Sequence, residues 1–146
     1  MSDALNGKPP TLFWVIAAVL LLWNFTGLLM YYGQVTMTPE TLAANFSAIQ
    51  REFMAQTPAW ATAAYATAVT AGVIGAALLL LRKAWALPFF ILSFVAVLIQ
   101  DFQAFILSGA IDIWGSGALM LPAIVIVICI FEIWYTRLAK AKGWLT

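Results

Sequence analysis

Apolar side chains fill four long stretches of this chain, and almost every charged side chain lies outside them. The stretches run about Leu12–Tyr32, Ala59–Leu81, Trp85–Ile106 and Ser116–Tyr135. Each holds roughly 20 residues, which at ~1.5 Å per residue covers a hydrocarbon layer ~30 Å thick. The pattern predicts an all-α membrane protein, a four-transmembrane-helix bundle. The turn at Arg82-Lys83 is short, so the second and third helices are expected to be antiparallel neighbours.

The long connection between the first two stretches carries a different period. Thr38-Pro39-Glu40 reads as an N-cap, a first-turn proline and an early acid. Leu42, Phe46, Ile49 and Phe53 then recur at helical spacing, with Asn45, Gln50, Arg51 and Glu52 between them. This predicts a short amphipathic helix, about Pro39 to Ala55, lying on the membrane surface or capping the bundle. The alternative is a plain tether. Gln56-Thr57-Pro58 ends the segment. One bundle accounts for residues 1–146, so a single integral membrane domain is expected.

Composition sharpens this picture. Of 146 residues, 64% are hydrophobic and 9% charged, against about 25% charged in a soluble domain. A net charge of +1 gives no reason to expect nucleic-acid binding. The chain has no histidine and one cysteine, Cys129. That argues against histidine-held haem or zinc, histidine acid–base catalysis, an intrachain disulfide and a CxxC centre. No metal or cofactor is expected, and Cys129 reads as a packing residue. The first apolar run is of full crossing length without a separate cleavage site, so it is expected to be retained.

Charge placement gives an orientation. Four crossings put Lys8, Arg82, Lys83, Arg137, Lys140 and Lys142 on one side and Arg51 on the other. The positive-inside bias then puts both termini in the cytoplasm. Trp14, Trp85, Trp134 and Tyr135 mark that boundary, and Tyr31, Tyr32, Trp60 and Trp114 the opposite one; Trp23 lies deeper and reads as a packing residue.

Within the crossings, small residues dominate the second helix: Ala64, Ala68, Gly72 and Ala76 recur every fourth position. Small side chains let backbones approach closely, so this helix should be the most enclosed. Pro122 in the fourth run suggests a bend near Gly117–Pro122.

Polar groups collect in the outer half. Asn24 and Tyr31 share a face of the first helix, Gln100 and Gln103 a face of the third, and Tyr65 occupies the same layer. Asp101 joins them, with Arg51 as the basic side chain nearest in expectation. Such groups are costly against lipid tails and should point inward or reach water. Two readings stay open. In one, Asn24, Tyr31, Tyr65, Gln100, Asp101 and Gln103 line a ligand-binding pocket; in the other they form a hydrogen-bond cluster that fixes packing. Glu132 is expected in a structural ion pair with Arg137 and Arg82 at the cytoplasmic boundary.

Several segments carry a resemblance. They are Trp23-Asn24 with Gly27, Met37-Thr38-Pro39-Glu40, Thr57-Pro58-Ala59-Trp60, Leu80 to Ala86, and Lys142-Gly143-Trp144-Leu145. Together these resemble a family of small four-helix bacterial membrane proteins often labelled "sugar transporter", and the likeness spans nearly the whole chain. The layout is more loosely similar to DoxX-like proteins. The resemblance implies solute transport and a bacterial inner (cytoplasmic) membrane, and it supplies no catalytic residues to carry over.

Three functional classes follow. The first is a non-enzymatic protein that binds or transports a small polar or amphipathic solute as a homo-oligomer. The second is an accessory subunit of a larger respiratory, photosynthetic or transport complex. The third is a lipid-modifying enzyme, which without histidine would need Asp101 with Tyr31 or Tyr65. Membrane lipids are the partners common to all three.

Overall fold

The computed structural model describes residues 8–146. Four helices are long and apolar enough to cross a membrane, and the chain is a multi-pass, all-α membrane protein. The crossings are α1 (Thr11–Val35), α4 (Ala59–Leu80), α5 (Ala86–Asp101) and α7 (Met120–Ala141). A π-helical turn, Phe102–Leu107, continues α5, and a 3-10 turn, Ser116–Leu119, leads into α7. Short helices α2 (Pro39–Asn45), α3 (Ala48–Ala55) and α6 (Ala110–Trp114) cover one end. The other end carries Arg82, Lys83 and Lys140 and is called here the basic end; the covered end is the distal one.

The crossings pack in chain order, α1 on α4, α4 on α5, and α5 on α7. Helix α4 is the most enclosed, as its small residues predict: Ala61, Ala64, Ala68, Ala71, Gly72, Gly75, Ala76 and Leu79 are all buried. Gly75 shows why size matters. A Cβ there would lie 3.0 Å from the Phe90 ring, so the α4–α5 approach depends on its absence.

The basic end is closed by the C-terminal tail. Gly143, at φ 76°, ends α7 in a Schellman turn, with Trp144 N donating to Ala139 O and Gly143 N to Lys140 O. The chain then folds back. Trp144 packs edge-on to Phe13 at 5.8 Å between ring centroids, and Phe13 stacks on Tyr135 at 6.3 Å. Thr146 N donates to Arg82 O (2.8 Å) and Arg82 Nε donates to Trp144 O (2.8 Å). The tail thereby ties the α4–α5 turn to α1 and α7.

Three expectations change in detail. The amphipathic segment is not one helix: Ser47 caps α3 through a reciprocal capping box with Gln50, which breaks the run at Phe46. Phe46 and Phe53 still face one partner, both rings packing edge-on to Trp114. Pro122 falls in the first turn of α7, where a missing N–H costs little, and the local irregularity is the 3-10 turn before it. Finally, α7 continues beyond Tyr135 to Ala141, with consequences for Glu132.

Candidate functional site

Helices α1 and α7 face each other across the bundle through long side chains. At the basic end Phe13 and Tyr135 close the gap. Near mid-height a hydrogen bond spans it: Asn24 Nδ2 donates to Glu132 Oε2 at 2.6 Å. Beyond that bond, toward the distal end, a cavity of about 250 Å³ opens among all four crossings.

The floor of the cavity is polar. Asn24 (9% exposed), Ser93 (4%) and Glu132 (2%) meet there. Asn24 occupies a notch over Gly72, where any Cβ would overlap its Oδ1. Its amide nitrogen also donates to Leu20 O (2.8 Å). Two acceptors on one side, Leu20 O and Glu132 Oε2, fix which way the amide faces. Ser93 Oγ donates to Ala68 O across the α4–α5 interface at 2.7 Å.

Higher in the cavity stand Tyr65, Gln100 and Asp101. Asp101 is the last α-helical residue before the π-turn. Its Oδ2 is buried and has no hydrogen-bond partner among the described residues. Trp23 and Val97 add apolar wall, and Cys129 is buried against it. Thr26, Met30 and Leu121 also line the space while being exposed on the outside of the bundle. They form a mouth between α1 and α7 that faces sideways, on the surface that meets lipid.

The expected pocket residues are therefore only partly gathered. Asn24, Tyr65, Gln100 and Asp101 line the cavity. Tyr31 stands behind Tyr65, edge to face at 5.0 Å between centroids. Gln103 is turned away, buried, and donates from Nε2 to Ser108 Oγ at 2.7 Å. The cause is the π-turn. Its i→i+5 bonding, seen in Ser108 N to Gln103 O, widens the helix, so Gln100 and Gln103 no longer share a face.

Glu132 lies away from the boundary arginines. The ion pair expected with Arg137 and Arg82 is replaced by the hydrogen bond from Asn24. Arg137 is exposed, and Arg82 Nε holds the C-terminal tail. Because α7 runs on to Ala141, Glu132 lies ~14 Å inside its basic end rather than at the boundary. Arg51 likewise stays away from Asp101; it is exposed, and its Nε points to Ser47 O. Trp23, read from sequence as packing, is part of the cavity wall.

Comparison with family models, with curated proteins and with solved structures returns no match. Among the described residues no three His, Cys, Asp or Glu side chains converge closely enough to hold a metal ion. What the arrangement can do chemically follows from its own groups. It offers a shaped space with aromatic and aliphatic walls, a hydrogen-bonding floor and two carboxyl groups.

Proposed function

We propose that this chain is a non-enzymatic binding or transport protein that takes a small amphipathic solute into the cavity between α1, α4, α5 and α7. The observation that carries this reading is the cavity itself. A hydrogen-bond cluster serving only to fix packing would leave no space around it, yet here about 250 Å³ stays open beside Asn24, Glu132 and Asp101. Few, well-placed polar groups in an otherwise apolar concavity are the usual form of a small-molecule site. The floor hydrogen bonds favour binding over chemistry, since Asn24 and Ser93 are held by helix carbonyls. The resemblance to four-helix proteins labelled "sugar transporter" points the same way. It also supports a bacterial inner membrane, and the clustering of lysine and arginine at the basic end supports cytoplasmic termini. A bundle this small would reach a full transport path as a homo-oligomer.

The test is ligand-induced stabilisation in lipid nanodiscs across a solute panel, with Val125→Trp as the comparison. Val125 lines the cavity and is half-buried, so the indole fills the space. Native protein should gain thermal stability with at least one solute, and the filled variant should not. A panel with no stabilising solute, or one that stabilises both proteins equally, rejects the reading.

A further inference from the structure

We propose that the ligand is a lipophilic amine, bound as its ammonium ion after entering sideways from the bilayer. This rests on the binding reading above and narrows it to a chemical class.

The hydrogens of the polar groups around the cavity floor are already committed. Both N–H bonds of the Asn24 amide are committed, one to Leu20 O and one to Glu132 Oε2. The Ser93 hydroxyl hydrogen is committed to Ala68 O, and that of Thr26 to Leu22 O. These side chains can then only accept. Asp101 adds a buried oxygen with no partner among the described residues. Glu132 adds a carboxyl group of which one oxygen is bonded to Asn24. The remaining donors in the lining are Gln100 and Tyr65 higher up, the Trp23 indole, and the weak donor of the Cys129 thiol. The floor is thus a set of acceptors waiting for a donor.

Charge selects among donors. The lining contains Asp101 and Glu132 and no lysine or arginine. A neutral alcohol supplies one hydrogen and no charge; an ammonium supplies up to three hydrogens and a positive charge. The faces of Trp23 and Tyr65 suit a cation as well. An anionic ligand meets two carboxyl groups and is refused.

The mouth selects the rest of the molecule. Met30 and Leu121 are about half exposed, on the lipid-facing surface of α1 and α7. Anything entering there has already partitioned into the bilayer, so an apolar body is required.

A matched set tests this: 2-(1-naphthyl)ethylamine, 2-(1-naphthyl)ethanol and 1-naphthylacetate, titrated into nanodiscs of zwitterionic lipid. Titration calorimetry reports occupancy, and empty nanodiscs give the partitioning background. The amine should bind at least about tenfold more tightly than the alcohol, and the acetate should not bind. Asp101→Asn should weaken the amine by about tenfold and the alcohol by clearly less, because only the amine loses a charge partner. Glu132→Gln keeps an oxygen for Asn24 and should act in the same direction, so the result does not depend on one variant folding. Equal affinity for amine and alcohol, or native amine affinity in both variants, overturns the proposal. Binding of the alcohol or acetate alone overturns it while leaving the cavity as a ligand site. Silence from all three overturns it too, and the wider solute panel with Val125→Trp then decides the binding reading separately.

Discussion

Asn24 is the residue on which the interior polar arrangement turns. It holds Glu132 by a 2.6 Å bond and is itself held by Leu20 O and by the notch over Gly72. Removing it strands a carboxyl group that is 2% exposed. Leaving a buried polar group without its partner costs about 1–3 kcal/mol. Asn24→Ala should therefore lower unfolding free energy by about that amount in reversible denaturation in mixed micelles; a loss within error of zero would show that the bond does not hold α1 to α7. Gly72 carries a paired expectation. Gly72→Ala forces Asn24 Oδ1 aside and should cost about 1–3 kcal/mol. Gly33→Ala, where a new Cβ meets nothing within 4 Å, should be near neutral in the same assay. Equal effects would mean that helix propensity rather than the notch governs both sites.

At the scale of elements, caps and wide turns decide what periodicity does not. Leu42, Phe46, Ile49 and Phe53 keep the spacing of one helix, yet Ser47 with Gln50 starts a new one. The reciprocal bonds, Gln50 N to Ser47 Oγ and Ser47 N to Gln50 Oε1, outcompete continuation of the first helix. Ser47→Ala should destabilise α3 by about 1 kcal/mol. Hydrogen exchange should accelerate over Ala48–Ala55 and stay unchanged over Pro39–Asn45, whose cap is Thr38. Uniform acceleration of both would show a single cooperative unit. The π-turn at Phe102–Leu107 is the second such device. It ends regular α-geometry directly after Asp101, keeping Gln100 on the cavity and sending Gln103 to Ser108.

At the scale of the molecule, packing in chain order leaves the α1–α7 seam bridged by side chains, and the cavity lies in that seam. The C-terminal tail closes its basic end. Trp144 is 7% exposed and packs on Phe13, so Trp144→Ala should cost about 3–5 kcal/mol. Exchange at the Ala84 amide, which donates to Thr146 O, should rise with it; an unchanged Ala84 would mean the tail is decoration. Orientation is testable on the same scale. Single cysteines replacing Asn45 and Lys83 should differ in labelling from outside intact cells, the first modified and the second protected. The reverse pattern inverts the topology.

Much of this was legible in the sequence, and the reason is locality. Hydropathy, the Thr38 cap and the small-residue repeat of α4 are properties of neighbouring residues, so the crossings, the antiparallel α4–α5 pair and the most enclosed helix follow from the chain alone. Depth across the bundle is not local. Glu132 reads as a boundary residue while its helix is taken to stop at Tyr135; with α7 continuing to Ala141 it reaches the level of Asn24, 108 positions away in sequence. Periodicity likewise places Gln100 and Gln103 together, because it assumes a uniform turn that the π-turn does not keep. The sequence determined which segments face lipid, since that depends on summed transfer energy along each run. Only the tertiary structure decided which polar groups meet, since that depends on helix length, register and the empty space left where α1 and α7 do not touch.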